Sequence, residues 1–287
     1  MTPIKQSKQS TQFKQPSRSR MLAWLIVGMG AVLMLAPFYF TFVLATQPRE
    51  AIFHIPPPMW FGESLLHNIR LLTGLIPFWH NLGMSLYVAV MTTVLALFFC
   101  SMAGYAFAMY DFRFKKTLFA IVLGSMLLPP FLGLIPTFML MNFLGWLDQP
   151  RALYLPAAAA AFGIFLMRQY IGSAVPKELL EAARIDGCGE FRIYWKVVLP
   201  LIGPALGTLG LITFITSWNS FLQPLVIMHS PENFTLPVAL RSIQSTTNTD
   251  WGAVMAGSAI AVMPLVILFA LFSRRLISGL TAGAVKG

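Results

Sequence analysis

A chain of 287 residues with 57% hydrophobic and 10% charged side chains falls far below the charged fraction of about 25% that is usual in soluble globular domains. A net charge of +10 would suggest a nucleic-acid partner in a soluble protein, but in so apolar a chain we interpret it as a topology signal and expect no nucleic acid. The composition therefore predicts an all-α integral membrane protein surrounded by lipid.

Six apolar stretches follow one another along the chain. A spanning helix needs about 20 apolar residues, and none of the six apolar cores contains Asp, Glu, Lys or Arg. The third stretch is long, and Pro129, Pro130 and Pro136 within it predict a kinked or tilted helix. The predicted organisation is a basic tail at residues 1–20, a transmembrane domain at 21–275 with spans at 22–45, 82–110, 117–146, 153–171, 201–227 and 253–273, and a second tail at 276–287.

The basic residues predict how these spans are oriented. Of the 20 Lys and Arg residues, 16 fall on the side of the predicted membrane that holds both termini. The positive-inside rule places this side in the cytoplasm, and an even number of spans agrees with both termini sharing a side. The first apolar run is about twice as long as a signal-peptide core, so we expect it to be retained as an anchor. The basic residues on the opposite side are Arg49, Arg70, Arg151 and Arg241.

Two sizeable loops, residues 46–81 and 229–252, fall on the external side of this arrangement. Tryptophans near the span ends on that side indicate an aromatic belt at the membrane interface. Contact with an extracytoplasmic partner is the alternative interpretation. These tryptophans are Trp60, Trp79, Trp146 and Trp251.

Several kinds of chemistry are missing from the sequence. It contains no G-x-x-x-x-G-K-[ST] phosphate loop, no H-E-x-x-H zinc motif and no G-x-S-x-G nucleophile elbow. Spans without ionisable groups argue against ion-coupled transport, although Na⁺ coupling through carbonyls and hydroxyls stays open. We therefore expect no catalytic residue, no metal site and no enzyme activity in this chain, and any energy for pumping would come from a partner.

A polar segment, residues 172–200, separates the fourth and fifth predicted spans. Four of the ten acidic residues of the chain are gathered in it. Pro176 suits the first turn of a helix, and Gly187 suits the left-handed position that follows a helix C-terminus. The pattern predicts a short helix, a glycine turn and a second helix at roughly residues 190–198. Taken alone, the polar segment could equally be an amphipathic loop at the membrane surface.

The amino-acid sequence of the polar segment resembles a known motif. The run E-A-A-R-I-D-G at residues 181–187, followed by V-L-P at 198–200, resembles the "EAA" motif of ATP-binding-cassette import permeases. The runs T-F-I-T-S-W-N-S-F-L-Q-P-L at 213–225 and R-R-L-I-S-G-L-T-A-G-A-V-K-G at 274–287 are similar to the carbohydrate-uptake branch of this family. Six spans with a cytoplasmic N-terminus resemble its smaller permease subunit, the type found in the maltose importer.

This resemblance implies a function for the polar segment. In the family the segment forms a coupling helix, which docks into a cleft on a cytoplasmic ATPase and transmits the closure of the ATPase dimer to the pore. Small residues allow close approach, and the acid can pair with a basic group of the ATPase. The residues assigned to this contact by resemblance are Glu181, Ala182, Ala183, Arg184, Asp186 and Gly187.

The resemblance also implies partners and a location. The expected partners are a second permease of the larger-subunit type, two ATPase subunits and an extracytoplasmic solute-binding protein. No cofactor is expected in this chain, because the ATPase partner would bind ATP and Mg. The expected location is the plasma (inner) membrane of a bacterium, as a multi-pass protein.

A sugar pathway is expected to present hydroxyl-matching polar groups and aromatic faces. The fifth predicted span supplies four such side chains within about two helical turns, although interhelical hydrogen bonding is an equally common use of polar residues in spans. A stand-alone secondary transporter or facilitator is the main alternative function, and a receptor or assembly component is a third. The candidate pathway residues are Trp218, Asn219, Ser220 and Gln223, with Asn81, Ser85, Thr137 and Asn142 as weaker candidates.

Overall fold

A computed structural model describes the backbone of residues 18–244 and 249–284 and the side chains of residues 21–244 and 249–271. Over these residues the secondary structure is helical and contains no strand, which confirms the predicted all-α class. Most of the predicted basic tail at residues 1–20, the side chains of Arg274 and Arg275 and residues 285–287 lie outside this description.

The helices follow the chain as α1 (Arg18–Ala45), α2 (Leu65–Leu75), α3 (Phe78–Met109), α4 (Lys115–Ser125), α5 (Leu134–Phe143), α6 (Arg151–Ala157), α7 (Ala161–Ala174), α8 (Lys177–Ile185), α9 (Glu190–Ile193), α10 (Leu199–Leu201), α11 (Gly203–Trp218), α12 (Leu222–Ile227), α13 (Leu236–Gln244) and α14 (Trp251–Ala284). A π-helical turn, Tyr194–Val198, joins α9 to α10. Short 3₁₀ turns lie at Arg49–Phe53, Pro130–Gly133 and Pro231–Asn233.

Four helical stretches of the described residues are long and apolar enough to cross a membrane without a sharp bend: Met21–Ala45, Phe78–Met109, Arg151–Ala174 and Trp251–Leu271. Two further stretches consist of bent helix pairs, and counting each pair as one span raises the number to six. The second predicted span begins earlier than expected, at Phe78, and α14 continues past residue 273 to Ala284.

The third predicted span, residues 117–146, is a broken helix. Lys115–Ser125 and Pro130–Phe143 meet at an angle of 102°, a far sharper change than the expected kink. The cause lies in Pro129 and Pro130, which provide no backbone N–H to continue the α4 ladder and lead into the 3₁₀ turn before α5.

The fifth predicted span, residues 201–227, is also divided. The helix α11 ends at Trp218, and α12 begins at Leu222. Pro224 explains the break, because it cannot donate a hydrogen bond to the carbonyl four residues earlier and its ring crowds that carbonyl. The fourth span carries a similar interruption at residues 158–160, just after Pro156 in α6.

The helix α3 lies at the centre and packs against α7 and α11. Its approach to α7 is close at Gly104, where a Cβ atom would lie 2.6 Å from the Cβ of Met167 and 2.8 Å from the backbone nitrogen of Arg168. Small residues at such contacts are how membrane helices bring their backbones together. By contrast α1 packs on α14, and its first half, from Met21 to Leu35, is exposed on all sides.

The external loops of the predicted topology contain helices that the sequence did not predict. The amphipathic helices α2 and α13 lie in the loops at residues 46–81 and 229–252. Asn68 of α2 is buried, and its Nδ2 donates hydrogen bonds to the carbonyl oxygens of Ala45 and Gln47, each at 2.9 Å. This side chain therefore ties α2 to the end of α1 and satisfies carbonyls that a helix C-terminus leaves unpaired.

Candidate functional site

The helix α8 of the polar segment has an inner and an outer face. Leu180 and Ala183, with 2% and 9% of their surface exposed, pack into a core cluster with Ile193 and Val198. Ile185 on the outer face is 87% exposed although it is apolar. The core cluster therefore fixes α8 in position and leaves Ile185 on its outer face exposed.

The six residues predicted to contact an ATPase divide between these two faces. Glu181, Ala182, Arg184, Asp186 and Gly187 are exposed. Ala183 differs from Ala182 because it is buried against this chain's own core. The reason is the helical period, since Ala183 lies three residues after the anchoring Leu180 and shares its face.

The helix α8 ends in a Schellman motif, in which Gly187 takes the left-handed position predicted for it. Gly187 has a positive φ of 76°. Its N–H donates to the carbonyl of Arg184 at 3.0 Å, and the N–H of Cys188 donates to the carbonyl of Ala183 at 3.0 Å, which is the hydrogen-bond pattern of this cap. A Cβ atom on Gly187 would meet no heavy atom within 4 Å, so backbone conformation, and not space within this chain, requires glycine here.

An ion pair links α8 to α9. Nε of Arg184 donates to Oε1 of Glu190 at 2.7 Å, and the Arg184 guanidinium carbon lies 5.9 Å from the centre of the Tyr110 ring. The Tyr110 hydroxyl donates to Oε2 of Glu190, and the Tyr105 hydroxyl lies within hydrogen-bond distance of Tyr110, at 3.1 Å. The polar segment is thereby connected to the end of α3.

A half-open pocket of about 280 Å³ lies between α3, α6, α7, α11 and α12. None of its lining residues is charged. The pocket lies beside two interrupted helices. Its walls include residues on both sides of the interruption in the fourth span and on both sides of the break between α11 and α12. Irregular backbone at membrane depth is expected to line a cavity. The polar lining residues are Thr92, Thr213, Thr216, Ser217, Ser220 and Gln223.

Two of the four predicted pathway residues, Ser220 and Gln223, line this pocket. Trp218 does not, because it is buried, stacks on Phe214 and donates from Nε1 to the carbonyl of Ala261 at 3.2 Å. Asn219 does not line it either, since its Nδ2 donates to the carbonyl of Ile215 at 3.0 Å and closes the end of α11. Two of the four predicted pathway residues therefore have structural roles: Trp218 packs against neighbouring helices, and Asn219 caps the end of α11.

The weaker candidates have structural roles or lie elsewhere. Asn81 is buried, and its Nδ2 donates to the carbonyls of Pro231 and Phe234 at 2.8 and 3.0 Å. Ser85 accepts a hydrogen bond of 2.7 Å from the backbone N–H of Leu236. Both side chains therefore hold the loop before α13 against α3, and neither they nor Thr137 and Asn142 line the pocket.

The sequence prediction missed several pocket hydroxyls that carry a detectable signal. Thr213, Thr216 and Ser217 follow the spacing i, i+3, i+4, which places them on one face of α11. The predicted Ser220 continues this spacing just after the end of the helix. Ser217 donates to Oγ1 of Thr92 across the gap to α3 at 3.3 Å. A periodicity count restricted to hydroxyls would have identified this face.

A second polar cluster joins two external loops. Oδ1 of Asp148 accepts hydrogen bonds from the backbone N–H groups of His229 and Ser230 at 2.9 and 3.0 Å, and Oδ2 accepts one from the Ser230 hydroxyl at 2.5 Å. Partial burial of the carboxyl raises its pKa, but these hydrogen bonds and that of Asn233 outweigh burial and lower the pKa of Asp148 to about 2. The carboxylate thus closes the loop before α6 onto the loop after α12.

Helices interrupted at membrane depth around an uncharged pocket give this chain the architecture of a solute permease. The family described as the inner membrane component of binding-protein-dependent transport systems matches residues 97–281. The chain belongs to this family, which confirms the predicted ATP-binding-cassette permease, its location in the inner membrane and its role as a transport subunit and not an enzyme.

Individual relatives agree with this assignment. The arabinooligosaccharides transport system permease protein AraQ of Halalkalibacterium halodurans is 37% identical over 275 residues, covering 94% of this chain and 98% of its own length. The sn-glycerol-3-phosphate transport system permease protein UgpE of Yersinia enterocolitica is 32% identical over 259 residues, covering 88% and 92%.

A solved structure shares the fold. It is described as a bacterial ABC transporter involved in the import of the acidic polysaccharide alginate, and one of its chains matches with a TM-score of 0.80 at 24% identity, covering 91% of this chain and 98% of that chain.

Proposed function

We propose that this chain forms half of the pore of an ATP-driven sugar or polyol importer, with six spans and both termini in the cytoplasm. Its partners are a second permease of the larger-subunit type, two cytoplasmic ATPase subunits that bind ATP and Mg, and an external solute-binding protein. Counting each bent helix pair as one span supports the six-span topology, and family membership supports the kinds of partner.

The observation that carries this proposal is the outer face of α8. Leu180 and Ala183 hold the helix on the chain's own core, while Glu181, Ala182 and Ile185 point away from it. An exposed apolar side chain beside an acid suits a cleft with an apolar floor and a basic rim. The polar segment, residues 172–200, therefore serves as the coupling segment, and Gly187 lets the ATPase approach the turn without meeting a side chain.

Replacement of Gly187 tests the coupling segment. Gly187→Asp places a charged side chain at the turn and forces an unfavourable φ, so we expect ATPase co-purification and uptake to fall while membrane insertion persists. Gly189→Asp is a matched control, because it adds the same charge two residues later, where the backbone is extended and a side chain meets nothing within 4 Å. Unchanged uptake in Gly187→Asp would show that this turn is not a docking site.

The pocket supports an uncharged, hydroxyl-rich solute. Thr213, Thr216, Ser220 and Gln223 line it, and their side chains form no hydrogen bond within the part of the chain that the structure describes. Polar groups at membrane depth need a partner, and solute hydroxyls or accompanying water supply one. The name of one relative, an arabinooligosaccharide permease, supports an uncharged sugar. The other relative is a permease for glycerol phosphate, which is a charged derivative of a polyol.

Gln223→Leu tests the solute pathway, since it removes the amide and keeps the approximate size of the side chain. We expect uptake to fall, with a raised KM and unchanged assembly with the ATPase. Gln169→Leu is the matched control, because Gln169 is exposed and lies outside the pocket. Equal uptake by both variants would place the solute pathway elsewhere.

A stand-alone secondary transporter or facilitator would behave differently from an importer subunit. It predicts that vesicles containing this chain alone take up solute without ATP. The importer predicts no uptake under these conditions, and uptake only when ATPase, second permease and binding protein are present.

A further inference from the structure

An apolar loop, residues 51–62, follows the end of α1 and has no counterpart in the coupling or pathway assignments. It contains no Asp, Glu, Lys or Arg. Ile55 is 96% exposed and Trp60 is 81% exposed, and their exposed apolar neighbours are Phe53, Met59 and Phe61. An exposed apolar patch of this kind marks a contact with a membrane or another protein.

The loop folds back along α1 towards the membrane. The Tyr39 hydroxyl donates to the carbonyl of Met59 at 2.6 Å, and the Tyr39 and Phe61 rings lie 6.1 Å apart. Tyr39 precedes the end of α1 at Ala45 by six residues, which corresponds to about 9 Å along the helix axis. The loop therefore reaches the depth of the last turns of a spanning helix.

The backbone of this loop is paired in part. Residues 56–58 are prolines and have no N–H to satisfy. The carbonyl of Trp60 accepts from Nε2 of Gln47 at 2.7 Å, and the N–H of Gly62 donates to Oγ1 of Thr46 at 2.8 Å. Four N–H groups of the loop have no partner among the described residues, so this backbone suits the headgroup level, where water still reaches it, and not the hydrocarbon core. They are those of Ile55, Met59, Trp60 and Phe61.

We propose that residues 53–61 insert into the boundary between lipid headgroups and acyl chains on the external side of the membrane, as an interfacial anchor that binds lipid. The patch continues the exposed apolar surface of α1, where Met34, Leu35 and Phe38 are 74%, 63% and 50% exposed. Trp60 lies at the level where tryptophans concentrate in membrane proteins. The depth of the loop, its lack of acidic and basic residues and its continuity with the exposed surface of α1 favour lipid over the solute-binding protein as the occupant.

Spin labels on the full-length chain test this proposal. Cys100→Ala and Cys188→Ser provide a background for single cysteines at position 55 or 60, in vesicles of phosphatidylethanolamine and phosphatidylglycerol. Collision rates are measured with oxygen, which concentrates in lipid, and with a water-soluble nickel chelate. Position 33 in α1, where Leu33 is 72% exposed, is the lipid reference, and position 232, where Glu232 is exposed in the loop after α12, is the water reference.

We expect labels at 55 and 60 to match position 33, with an oxygen-to-nickel ratio several-fold above that at position 232. A ratio equal to that at 232 would place the loop in water and overturn the proposal. Exclusion of both reagents would also overturn it, and would show that a protein covers the patch. Because these side chains are exposed, labelling leaves the fold intact, which retained assembly with the second permease verifies.

Discussion

At the scale of single residues, Asp148 shows how one carboxylate organises two loops. Its φ of 60° lies in the left-handed region, which Asn tolerates as well as Asp. Asp148→Asn therefore keeps the backbone and removes the charge that accepts hydrogen bonds from His229 and Ser230. We expect a loss of about 1 kcal/mol, after allowing for partial solvent exposure, measured by thermal unfolding in detergent.

The pH dependence of this loss follows from the lowered pKa of Asp148, which is about 2 against an ordinary value of 3.8. The stabilisation is complete above the unfolded value and is lost as the pH falls towards the folded value. The difference between wild type and Asp148→Asn should thus stay constant from neutral pH to about pH 5 and shrink below about pH 4. Asp111→Asn is the control, because the Asp111 carboxylate is fully exposed. It should change the midpoint of thermal unfolding less than Asp148→Asn does.

The pathway residues show why single positions were harder to predict than the motif. Trp218 and Asn219 have the residue types of a sugar site, yet the end of α11 directs one to Ala261 and the other to Ile215. Gly187 was predictable because its requirement is local, namely a positive φ after a helix. The roles of Trp218 and Asn219 depended on where the helix ends and what it packs against, and no local pattern contains that information.

At the scale of helices, the contact of α3 with α7 depends on the missing side chain of Gly104. In Gly104→Ala the new methyl group would lie 2.6 Å from Met167 Cβ, so the helices must separate. We expect a destabilisation of about 1–3 kcal/mol, visible as a lower unfolding midpoint of the purified chain.

Gly83→Ala on the same helix is the matched control. A Cβ atom there meets nothing within 4 Å, and alanine favours the helix by up to about 1 kcal/mol. Its midpoint should stay unchanged or rise. A similar loss in both variants would indicate that glycine serves flexibility of α3 and not the contact with α7.

Helix α8 was predicted from local signals, and the structure gives Lys177–Ile185 with Gly187 as its cap. The apolar run at 117–146 was predicted as a kinked or tilted helix and is broken. The run at 201–227 was predicted as one span and is divided between Trp218 and Leu222. Hydropathy measures whether a segment can enter lipid, and it does not register the N–H groups that Pro130 and Pro224 remove. Proline alone does not predict where a helix breaks, because α1 and α14 continue through Pro37 and Pro264.

At the scale of the whole molecule, the proposed topology places Cys188 in the cytoplasm and leaves Cys100 buried. A membrane-impermeant maleimide should therefore label the chain in inside-out vesicles and leave it unlabelled in right-side-out vesicles. Cys188→Ser should abolish the labelling. Labelling from the outside would reverse the orientation derived from the positive charges.

The overall architecture was predictable in outline, because lipid demands helices and long apolar runs report them directly. The pocket was not, since its walls come from helices far apart in sequence, with Thr92 in α3 facing Ser217 in α11. The helices α2 and α13 were not predicted because they are short and amphipathic, and hydropathy detects only long apolar segments.

The seating of α8 on Leu180 and Ala183 bears on the order of assembly. A helix of nine residues is not stable by itself in water, so its outer face takes shape only after the spans have packed beneath it. An ATPase that recognises this face would reject nascent or misfolded chains. Recruitment of the ATPase would then act as quality control, because a permease with a misfolded pore would not bind the ATPase and would not trigger ATP hydrolysis.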